Sequence, residues 1–248
     1  MKLNKIKPKF ISKANPRIGL ITLGSDFRIE KDFNNVIYGK NIDLFVNRIH
    51  CYNPLTNKTL KKMADDITDV VKEILPGEKL DCVAYGCTSG TVAVGYEMIK
   101  EKVNLAKPEA QVTTPITSAI KAFKKMNIKN ISVFTPYTES INQSVIKYFK
   151  ESGINVKTLH YFDIPSDIDI GKIDSNYLLE VLSNINLNES EALFISCTAL
   201  PALDLINILE KKFNKLILSS NQTLIWESLN LVGNKEKVKG YGKIFEVN

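Results

Sequence analysis

Short runs of apolar, mostly β-branched residues alternate with longer amphipathic stretches along most of the chain. A short apolar run is typical of a buried strand, whereas apolar positions that recur every three or four residues are typical of a helix. The pattern predicts strands at 18–23, 42–46, 80–85, 131–134, 156–159 and 192–195. It predicts helices at 59–75, 91–103, 140–151, 176–187 and 202–213. This alternation predicts an α/β fold whose parallel sheets carry helices on both faces.

The chain also repeats part of its own pattern. Asp26 follows one strand and Cys87 ends another 61 residues later, while Tyr137 follows a strand and Cys197 ends another 60 residues later. The sequences around the two cysteines match as well, with Val-Ala-Tyr-Gly-Cys-Thr-Ser at 83–89 and Leu-Phe-Ile-Ser-Cys-Thr-Ala at 193–199. Each block is followed by a short segment that opens a helix, at 112–118 and at 218–223. Such an internal repeat indicates duplication.

The repeat predicts how the chain is divided. We expect two similar doubly wound parallel-sheet lobes, related by a pseudo-two-fold axis, with the active site in the cleft between them. Residues 1–16 are interpreted as a basic N-terminal extension, 17–115 as lobe 1 and 116–248 as lobe 2. This division leaves open that the C-terminal segment returns to pack on lobe 1.

The candidate chemistry lies where ligands bind in such sheets, outside the carboxyl ends of the strands. Asp26, Cys87, Tyr137 and Cys197 all fall at such positions. If the lobes face each other, the two cysteines approach one cleft from opposite sides. That arrangement is suited to handling the two faces of a single carbon.

Each of these cysteines precedes a threonine that we expect to start a helix. Free backbone N–H groups and the positive end of the helix dipole lower a thiol pKa and bind a carboxylate. The hydroxyls of Thr88, Ser89 and Thr198 would add donors. Most free cysteines, however, are small buried hydrophobes, and we interpret Cys51 and Cys82 in that way.

Two other candidates have competing interpretations. Asp26 is either part of the site or the cap of a helix that starts near Phe27. Tyr137 is either a ligand of the substrate or an aromatic residue at the rim of the cleft. His50 and His160 have no partner pattern, and we interpret both as non-catalytic.

Composition and charge narrow the function class. The 248 residues are 44% hydrophobic and 24% charged, which is ordinary for a globular protein. Four cysteines and two histidines without paired close spacings argue against a metal centre, and nothing implies a flavin, nicotinamide or pyridoxal cofactor. The net charge of +6 comes from scattered lysines, so we expect no nucleic-acid partner. Because the chain has no long apolar run, we expect no membrane contact and a cytoplasmic location. The sequence leaves open whether the protein forms a homo-oligomer.

Several of these motifs together resemble the aspartate/glutamate racemase superfamily. The most specific are Tyr-Gly-Cys-Thr-Ser-Gly at 85–90, Phe-Ile-Ser-Cys-Thr-Ala-Leu at 194–200, Ser-Ser-Asn-Gln-Thr at 219–223, Thr-Pro-Tyr at 135–137 and Arg-Ile-Gly-Leu-Ile at 17–21. The chain is most similar to the branch that holds maleate cis-trans isomerase, arylmalonate decarboxylase and the ectoine-utilisation protein A group. Within that branch it most resembles the ectoine-utilisation group, which has Cys-Thr-Ser-Gly and an acidic residue in the first loop.

The resemblance implies a role for each matched residue. Cys87 and Cys197 would be the catalytic thiols, assisted by Asp26, and Tyr137 would donate to a substrate carboxylate. Thr88, Ser89 and Thr198 would form the carboxylate-binding nest. Ser25 and Asn221, from loops 24–28 and 220–223, are expected to complete the substrate-binding residues.

The resemblance leaves the reaction open. A cofactor-independent racemase or isomerase of small carboxylic or amino acids is our first interpretation, since arylmalonate decarboxylase has Gly where this chain has Cys87. Cis-trans isomerisation through addition of Cys87 to an alkene, and decarboxylation, are the alternatives. Maleate isomerase has Asn at the position of Asp26, and a carboxylate there would repel a second substrate carboxylate or attract an ammonium group. A non-catalytic protein that binds a small acid is the alternative from another class.

Overall fold

Two four-stranded sheets, both entirely parallel, form the frame of the protein. A computed structural model describes residues 1 and 3–247. The first sheet has the order β2-β1-β3-β4 and the second the order β6-β5-β7-β8. The strands are β1 Arg17–Leu23, β2 Asp43–Ile49, β3 Cys82–Gly86, β4 Gln111–Thr113, β5 Asn130–Thr135, β6 Asn155–Tyr161, β7 Ala192–Ile195 and β8 Leu216–Ser219. Each sheet repeats the same strand order along the chain, which confirms the predicted α/β fold of two similar lobes.

Helices cover these sheets. They are α1 Ile29–Ile37, α2 Asn57–Lys62, α3 Ile67–Lys72, α4 Thr88–Val94, α5 Tyr96–Ala106, α6 Pro115–Lys125, α7 Glu139–Glu151, α8 Asp167–Gly171, α9 Ser175–Ser183, α10 Ile206–Phe213 and α11 Ser220–Leu231. Short 3₁₀ turns lie at Met63–Asp66, Leu203–Leu205 and Lys243–Glu246. None of the helices in the described part of the chain is long and apolar enough to cross a membrane.

The strands differ in burial across each sheet. Every residue of the inner strands β3 and β7 is buried, as expected for strands that are covered on both faces, and the edge strand β8 is buried as well. The edge strands β2 and β6 are mostly half-buried or exposed, and their pattern is correspondingly weaker. The sequence analysis did not predict β4 and β8 as strands; they overlap the segments 112–118 and 218–223, which it interpreted as opening a helix.

Two predicted helices are interrupted in the structure. The stretch 59–75 consists of α2, a 3₁₀ turn and α3, and it starts earlier because Thr56 forms a capping box with Thr59. The stretch 91–103 is divided by Gly95, whose φ of +91° is available to glycine and strained for other residues. Helix α8 was not predicted, because its five residues give little periodic contrast, and α1, α6 and α11 were predicted only by their starts, near Phe27 and in the segments 112–118 and 218–223.

Helices α6 and α11 tie the two halves of the molecule together. Phe123 of α6 makes edge-to-face contacts with Phe149 of α7 and Phe194 of β7, so α6 packs on the second sheet although it follows the first. Helix α11 follows the second sheet but packs against β3, β4 and α6. This exchange brings the first turn of α11 to the carboxyl ends of strands from both sheets.

Candidate active site

Cys87 lies directly after β3, as the N-cap residue of α4. Its Sγ accepts a hydrogen bond from the Gly90 N–H at 3.2 Å and lies 3.9 Å from Ser89 Oγ. A side chain at position 90 would bring its Cβ to 2.8 Å from this sulfur, so glycine is what permits the close approach. The thiol of Cys87 is therefore held by the helix that it caps, and only 3% of the residue is exposed.

Cys197 is held differently, and here the expected helix start is wrong. Residues 198–202 form turns, and a 3₁₀ turn begins only at Leu203. Cys197 has a φ of +130°, a backbone conformation that disfavours any residue with a Cβ and that prevents a helix from starting there. Its N–H donates to Ser220 Oγ at 2.9 Å, from the first residue of α11.

Ser220 connects the two cysteine loops. Besides the Cys197 N–H, its hydroxyl forms a 2.8 Å hydrogen bond with Thr88 Oγ1, in the first turn of α4. Thr198 reaches in the other direction and donates from Oγ1 to the Gly86 carbonyl at 3.3 Å. The predicted residues Thr88 and Thr198 thus meet across the two lobes. Ser220 was not singled out from the sequence, although it lies inside the Ser-Ser-Asn-Gln-Thr motif at 219–223.

Tyr137 lies between the two thiols and not at the rim. It follows β5, is only 1% exposed, and its N–H donates to Thr135 Oγ1 at 3.2 Å. Burial holds the pKa of its phenol well above the usual value, and the nearby thiols of Cys197 and Cys87 raise it further. The phenol is therefore a stable proton donor towards a ligand in this space.

The expectation that a helix terminus lowers the thiol pKa values is wrong for this closed conformation. Burial raises the pKa of Cys87, and the Gly90 N–H offsets only part of that effect. Burial also raises the pKa of Cys197 well above its usual value, with a further increase from Asp167. Burial raises the free energy of the thiolate more than the few N–H donors lower it. Both thiols are therefore protonated in the enclosed site.

Asp26 caps a helix, as one of its two interpretations predicted, and its role in the site stays a prediction. Its Oδ1 accepts hydrogen bonds from the N–H groups of Arg28 at 2.7 Å and Ile29 at 3.0 Å, so it caps the start of α1. Its Oδ2 is buried without a hydrogen-bond partner. Burial is the main cause that raises the pKa of this carboxyl. One oxygen thus serves the fold, and the other is free for the site.

Asp167 is a site residue that the sequence analysis missed. It begins α8, after β6, and its Oδ2 accepts a 2.5 Å hydrogen bond from Ser25 Oγ of the other lobe. Burial raises its pKa to about 6, and the charge of Asp26 adds to the increase. The residue stands in a polar, irregular stretch between two short elements, so neither periodicity nor the internal repeat marks it. Only the fold brings it to the cysteines.

Cys51, interpreted as core filler, lies half-buried beside the same carboxylates. Burial raises the pKa of its thiol to about 11, and a hydrogen bond with Ser25 opposes that increase. Cys82 is fully buried inside β3, where burial raises its pKa to about 12. Of these two, only Cys51 borders the candidate site.

Asn221 is largely committed to the protein itself. Its Nδ2 donates to Asp32 Oδ2 at 2.7 Å and to the Thr198 carbonyl at 2.8 Å. Only its buried Oδ1 is without a partner. Asn221 therefore fixes the loop after Cys197, and Asp32, whose pKa burial raises to about 7, supports it from α1.

Contacts between the lobes close the cleft over these residues. The Leu55 N–H donates to the Pro165 carbonyl at 2.8 Å, and the Asp167 N–H donates to Asn53 Oδ1 at 3.3 Å. The Arg28 guanidinium donates to the Gly171 carbonyl at 2.9 Å. Segment 165–171 of the second lobe is thus fastened to loops of the first, and it encloses the thiols.

The known proteins with related sequences include maleate isomerases and an arylmalonate decarboxylase. The profile of the family described as arylmalonate decarboxylase matches residues 52–245. Maleate isomerase of Geobacillus stearothermophilus is 26% identical over 199 residues, covering 77% of this chain and 78% of its own. Arylmalonate decarboxylase of Bordetella bronchiseptica is 20% identical over 137 residues, covering 54% of this chain and 57% of its own.

Solved structures with the same fold belong to the same group. A mutant of Nocardia farcinica maleate cis-trans isomerase with a covalently bound succinylcysteine intermediate superposes with a TM-score of 0.86 at 17% identity, covering 94% of this chain and 99% of its own. Maleate isomerase Iso from Pseudomonas putida S16 has a TM-score of 0.85 at 18% identity, covering 93% of this chain and 98% of its own. The related sequences include maleate isomerases and an arylmalonate decarboxylase, and the profile match spans most of the chain and both cysteine loops, so the chain belongs to the arylmalonate decarboxylase family.

Proposed function

We propose that the protein is an isomerase that moves a proton between the two faces of a carbon next to a carboxylate. Cys87 and Cys197 are its acid and base. The observation that carries this proposal is the arrangement of the thiols: they stand at equivalent strand ends of two similar lobes, joined by Ser220, with Tyr137 near both. Only one thiol would be needed to protonate a carbanion after decarboxylation.

The reaction needs one thiolate and one thiol, so one of the two thiols gives up its proton to solvent before the cleft closes over the substrate. The thiolate takes the α-proton, and the electron pair of the broken C–H bond moves into the carboxylate to give an enediolate. The opposite thiol then donates its proton to the other face of the carbon, and its electron pair stays on sulfur as the new thiolate. The two sulfurs exchange roles in each turnover, so atoms and charge balance.

The carboxylate of the substrate is assigned to the first turn of α4. Backbone N–H groups at a helix N-terminus bind anions, and the hydroxyls of Thr88 and Ser89 lie in that turn. Thr198 and the phenol of Tyr137 approach from the second lobe. Donors aimed at the carboxylate stabilise the extra negative charge of the enediolate, which is usually the largest contribution to such a step.

Cis-trans isomerisation of maleate is the second candidate, because four of the related sequences are maleate isomerases. In that reaction Cys87 would add to one alkene carbon while a proton goes to the other, the resulting single bond would rotate, and the same bonds would break again. The presence of both thiols is compatible with this reaction as well.

Proton exchange in heavy water separates these reactions. The wild-type protein would be incubated with single enantiomers of 2-amino and 2-hydroxy acids, and separately with maleate, and the products followed by proton NMR and chiral chromatography. We expect α-deuteration together with inversion in one of the saturated acids. Inversion should fall by about 10³-fold or more in both Cys87→Ser and Cys197→Ser, which is the size of loss expected when a member of a catalytic pair is removed.

Cys82→Ala is the matched control, because Cys82 is a buried thiol in the strand that leads to Cys87. It should retain activity. Conversion of maleate without deuteration of any saturated acid would replace the proposal by the cis-trans reaction. Unchanged turnover in either serine variant would show that the two-thiol mechanism is wrong.

A further inference from the structure

We infer that Asp26 and Asp167 together form a subsite for the α-ammonium group of the substrate, so that the acid converted is a 2-amino acid. This inference rests on the proposed function and names its substrate class. The two carboxylates come from different lobes: Asp26 follows Ser25 in the first lobe, and the Ser25 hydroxyl donates to Asp167 of the second. Each is buried, with 1% of Asp26 and 3% of Asp167 exposed.

The capping role of Asp26 does not account for its second oxygen. Oδ1 alone accepts both N–H groups at the start of α1, which is all that the cap requires. Oδ2 is buried and accepts no hydrogen bond of good geometry; the Thr198 hydroxyl, which donates to the Gly86 carbonyl, is near enough to lower the pKa of this carboxyl but leaves the oxygen available to a ligand. A buried carboxylate oxygen without a donor is costly, so this atom calls for a ligand that carries N–H or O–H groups.

No cation in the described part of the chain forms an ion pair with these carboxylates, and the charge of Arg48 lowers the pKa of Asp26 less than the hydrogen bonds to that carboxyl do. Among the residues that the structure describes, no Lys, Arg or His side chain forms a salt bridge with either carboxylate. The two nearest guanidinium groups are used elsewhere: Arg48 donates to the Leu23 and Asp26 carbonyls and to Glu30, and Arg28 donates to the Gly171 carbonyl. Two buried carboxylates without a counter-ion are unfavourable, and a ligand that supplies one positive charge removes most of that cost.

The position of the pair matches the geometry of an amino acid. Asp167 lies in the segment that closes on the first lobe through Ser25 and Asn53, and its charge raises the pKa of both Cys87 and Cys197, so we place it beside the space between the thiols where the α-carbon would sit. An ammonium group is bonded directly to that carbon and has three N–H donors, which suit the free Asp26 oxygen and Asp167. A dicarboxylate would instead bring a second negative charge against this pair.

The inference is tested by binding of acids that have no α-hydrogen and therefore cannot react. Two matched pairs are suitable: 2-aminoisobutyrate with 2-hydroxyisobutyrate, and 2-methylaspartate with 2-methylmalate. Within each pair only the ammonium group differs from a hydroxyl. By isothermal titration calorimetry at pH 8, we expect at least one amino member to bind at least about tenfold more tightly than its hydroxy partner, a typical difference for one close charge pair.

Asparagine variants locate the effect. In Asp26→Asn the Oδ1 cap of α1 is kept, and in Asp167→Asn the acceptor for Ser25 is kept, so each variant removes charge and preserves shape. Each should lose at least about tenfold in affinity for the amino member and change little for the hydroxy member. Asp169→Asn, on the exposed side of the same short helix as Asp167, is the control and should bind like the wild type.

The results for this subsite and for the reaction are separable. If no amino member binds more tightly than its hydroxy partner, or if the advantage survives in both asparagine variants, the ammonium subsite is wrong. Cysteine-dependent proton exchange in hydroxy acids would then leave the proposed function standing. Conversely, charge-dependent binding of an amino member without cysteine-dependent turnover would support the subsite and contradict the two-thiol reaction.

Discussion

The two cysteine loops occupy equivalent places in two similar sheets, yet the protein holds them by different means. Cys87 has an extended backbone with a φ of −145° and is fixed by contacts within its own short segment, chiefly the Gly90 N–H. Cys197 has a φ of +130° and depends on Ser220 and Asn221, more than twenty residues further along the chain. Equivalent positions in a duplicated fold therefore need not have equivalent local structure.

The difference teaches which parts of the site depend on the joining of the lobes. The thiol of Cys87 is held by its own strand and helix, although its neighbours Gly86 and Thr88 also bond Thr198 and Ser220. The Cys197 loop needs α11, and α11 packs on the first lobe. The strained conformation of Cys197 is thus maintained by the same helix that connects the lobes. Positive φ at a residue with a Cβ is tolerated when surrounding contacts hold it in place.

The largest expected effect tests whether each thiol serves one face of the substrate. If each sulfur serves one face of the substrate, Cys87→Ser and Cys197→Ser should each lose inversion by about 10³-fold or more. Each variant should still exchange the α-proton of the one enantiomer that faces its remaining thiol. Chiral separation of the exchanged material after incubation in heavy water measures this preference directly.

The two variants should therefore retain opposite enantiomers. The same enantiomer exchanged by both would mean that one face alone is served, and the functional equivalence of the two loops would be refuted. Cys82→Ala again provides the control, since it removes a buried thiol outside the cleft.

Ser220→Ala should produce the next largest effect. The substitution removes the acceptor for the Cys197 N–H and the partner of Thr88 Oγ1 together. We expect kcat to fall by about 10- to 100-fold with a smaller change in KM, because the loss misplaces a reacting group rather than the substrate. Ser228→Ala, on the same helix but away from both cysteine loops, removes a hydroxyl that donates to the Leu224 carbonyl; it is the comparison and should stay close to wild type. A larger loss in Ser228→Ala would contradict the role of Ser220 as the link between the loops.

The fold was predictable from the sequence because its main signals are local. The apolar runs of β1, β5 and β7 and the paired Cys-Thr blocks indicated two parallel α/β lobes. The short strands β4 and β8 were not predicted, and the nearly all-buried helix α11 was predicted only by the segment 218–223 that opens it, since its periodicity is weak. Backbone strain at Cys197 was also invisible, because its sequence neighbours closely resemble those of Cys87.

The site was predictable only in part, for a related reason. Residues next to a repeated motif, such as Thr88 and Thr198, were found, and the structure brings them together at Gly86 and Ser220. Asp167 and Asp32 reach the site through contacts 142 and 189 residues apart in the chain. Nothing in their local sequence marks them. The thiol pKa values were predicted in the wrong direction because burial depends on the closure of both lobes.

The pH dependence of activity tests whether Asp167 must be ionised for the reaction. The pKa of Asp167 is raised to about 6 in a setting of Ser25, Asn53, Asp26 and the thiols of Cys51, Cys87 and Cys197. An ammonium group needs the ionised form, which is present above this pKa and lost as the pH falls through it. We expect kcat/KM to fall towards tenfold per pH unit below about pH 6.

Asp167→Asn should lower kcat/KM at pH 8 and remove this step near pH 6. The pH profile of kcat/KM would be measured for Asp167→Asn and for the control Asp169→Asn, with an amino acid that the wild type converts. Asp169→Asn should retain the wild-type step near pH 6. A step near pH 6 that persists in Asp167→Asn would assign it to another group and contradict the role of Asp167.

The smallest effect, on stability, addresses the two loops most directly. Glycine at position 197 loses the thiol but relieves the strain of a φ of +130°, which costs about 1 kcal/mol or more for a residue with a Cβ. Glycine at position 87 loses the thiol and the acceptor for the Gly90 N–H, and it relieves nothing because the φ there is −145°. Both changes remove the same side chain at nearly the same burial and add the same backbone freedom to the unfolded chain.

The difference between the two variants therefore isolates the loop geometry, and Cys87→Gly should be about 1–2 kcal/mol less stable than Cys197→Gly by urea unfolding with unchanged m values. Equal destabilisation would mean that the contacts from Ser220 and Asn221 leave no strain at Cys197, and the contrast between the loops would then be one of contacts alone.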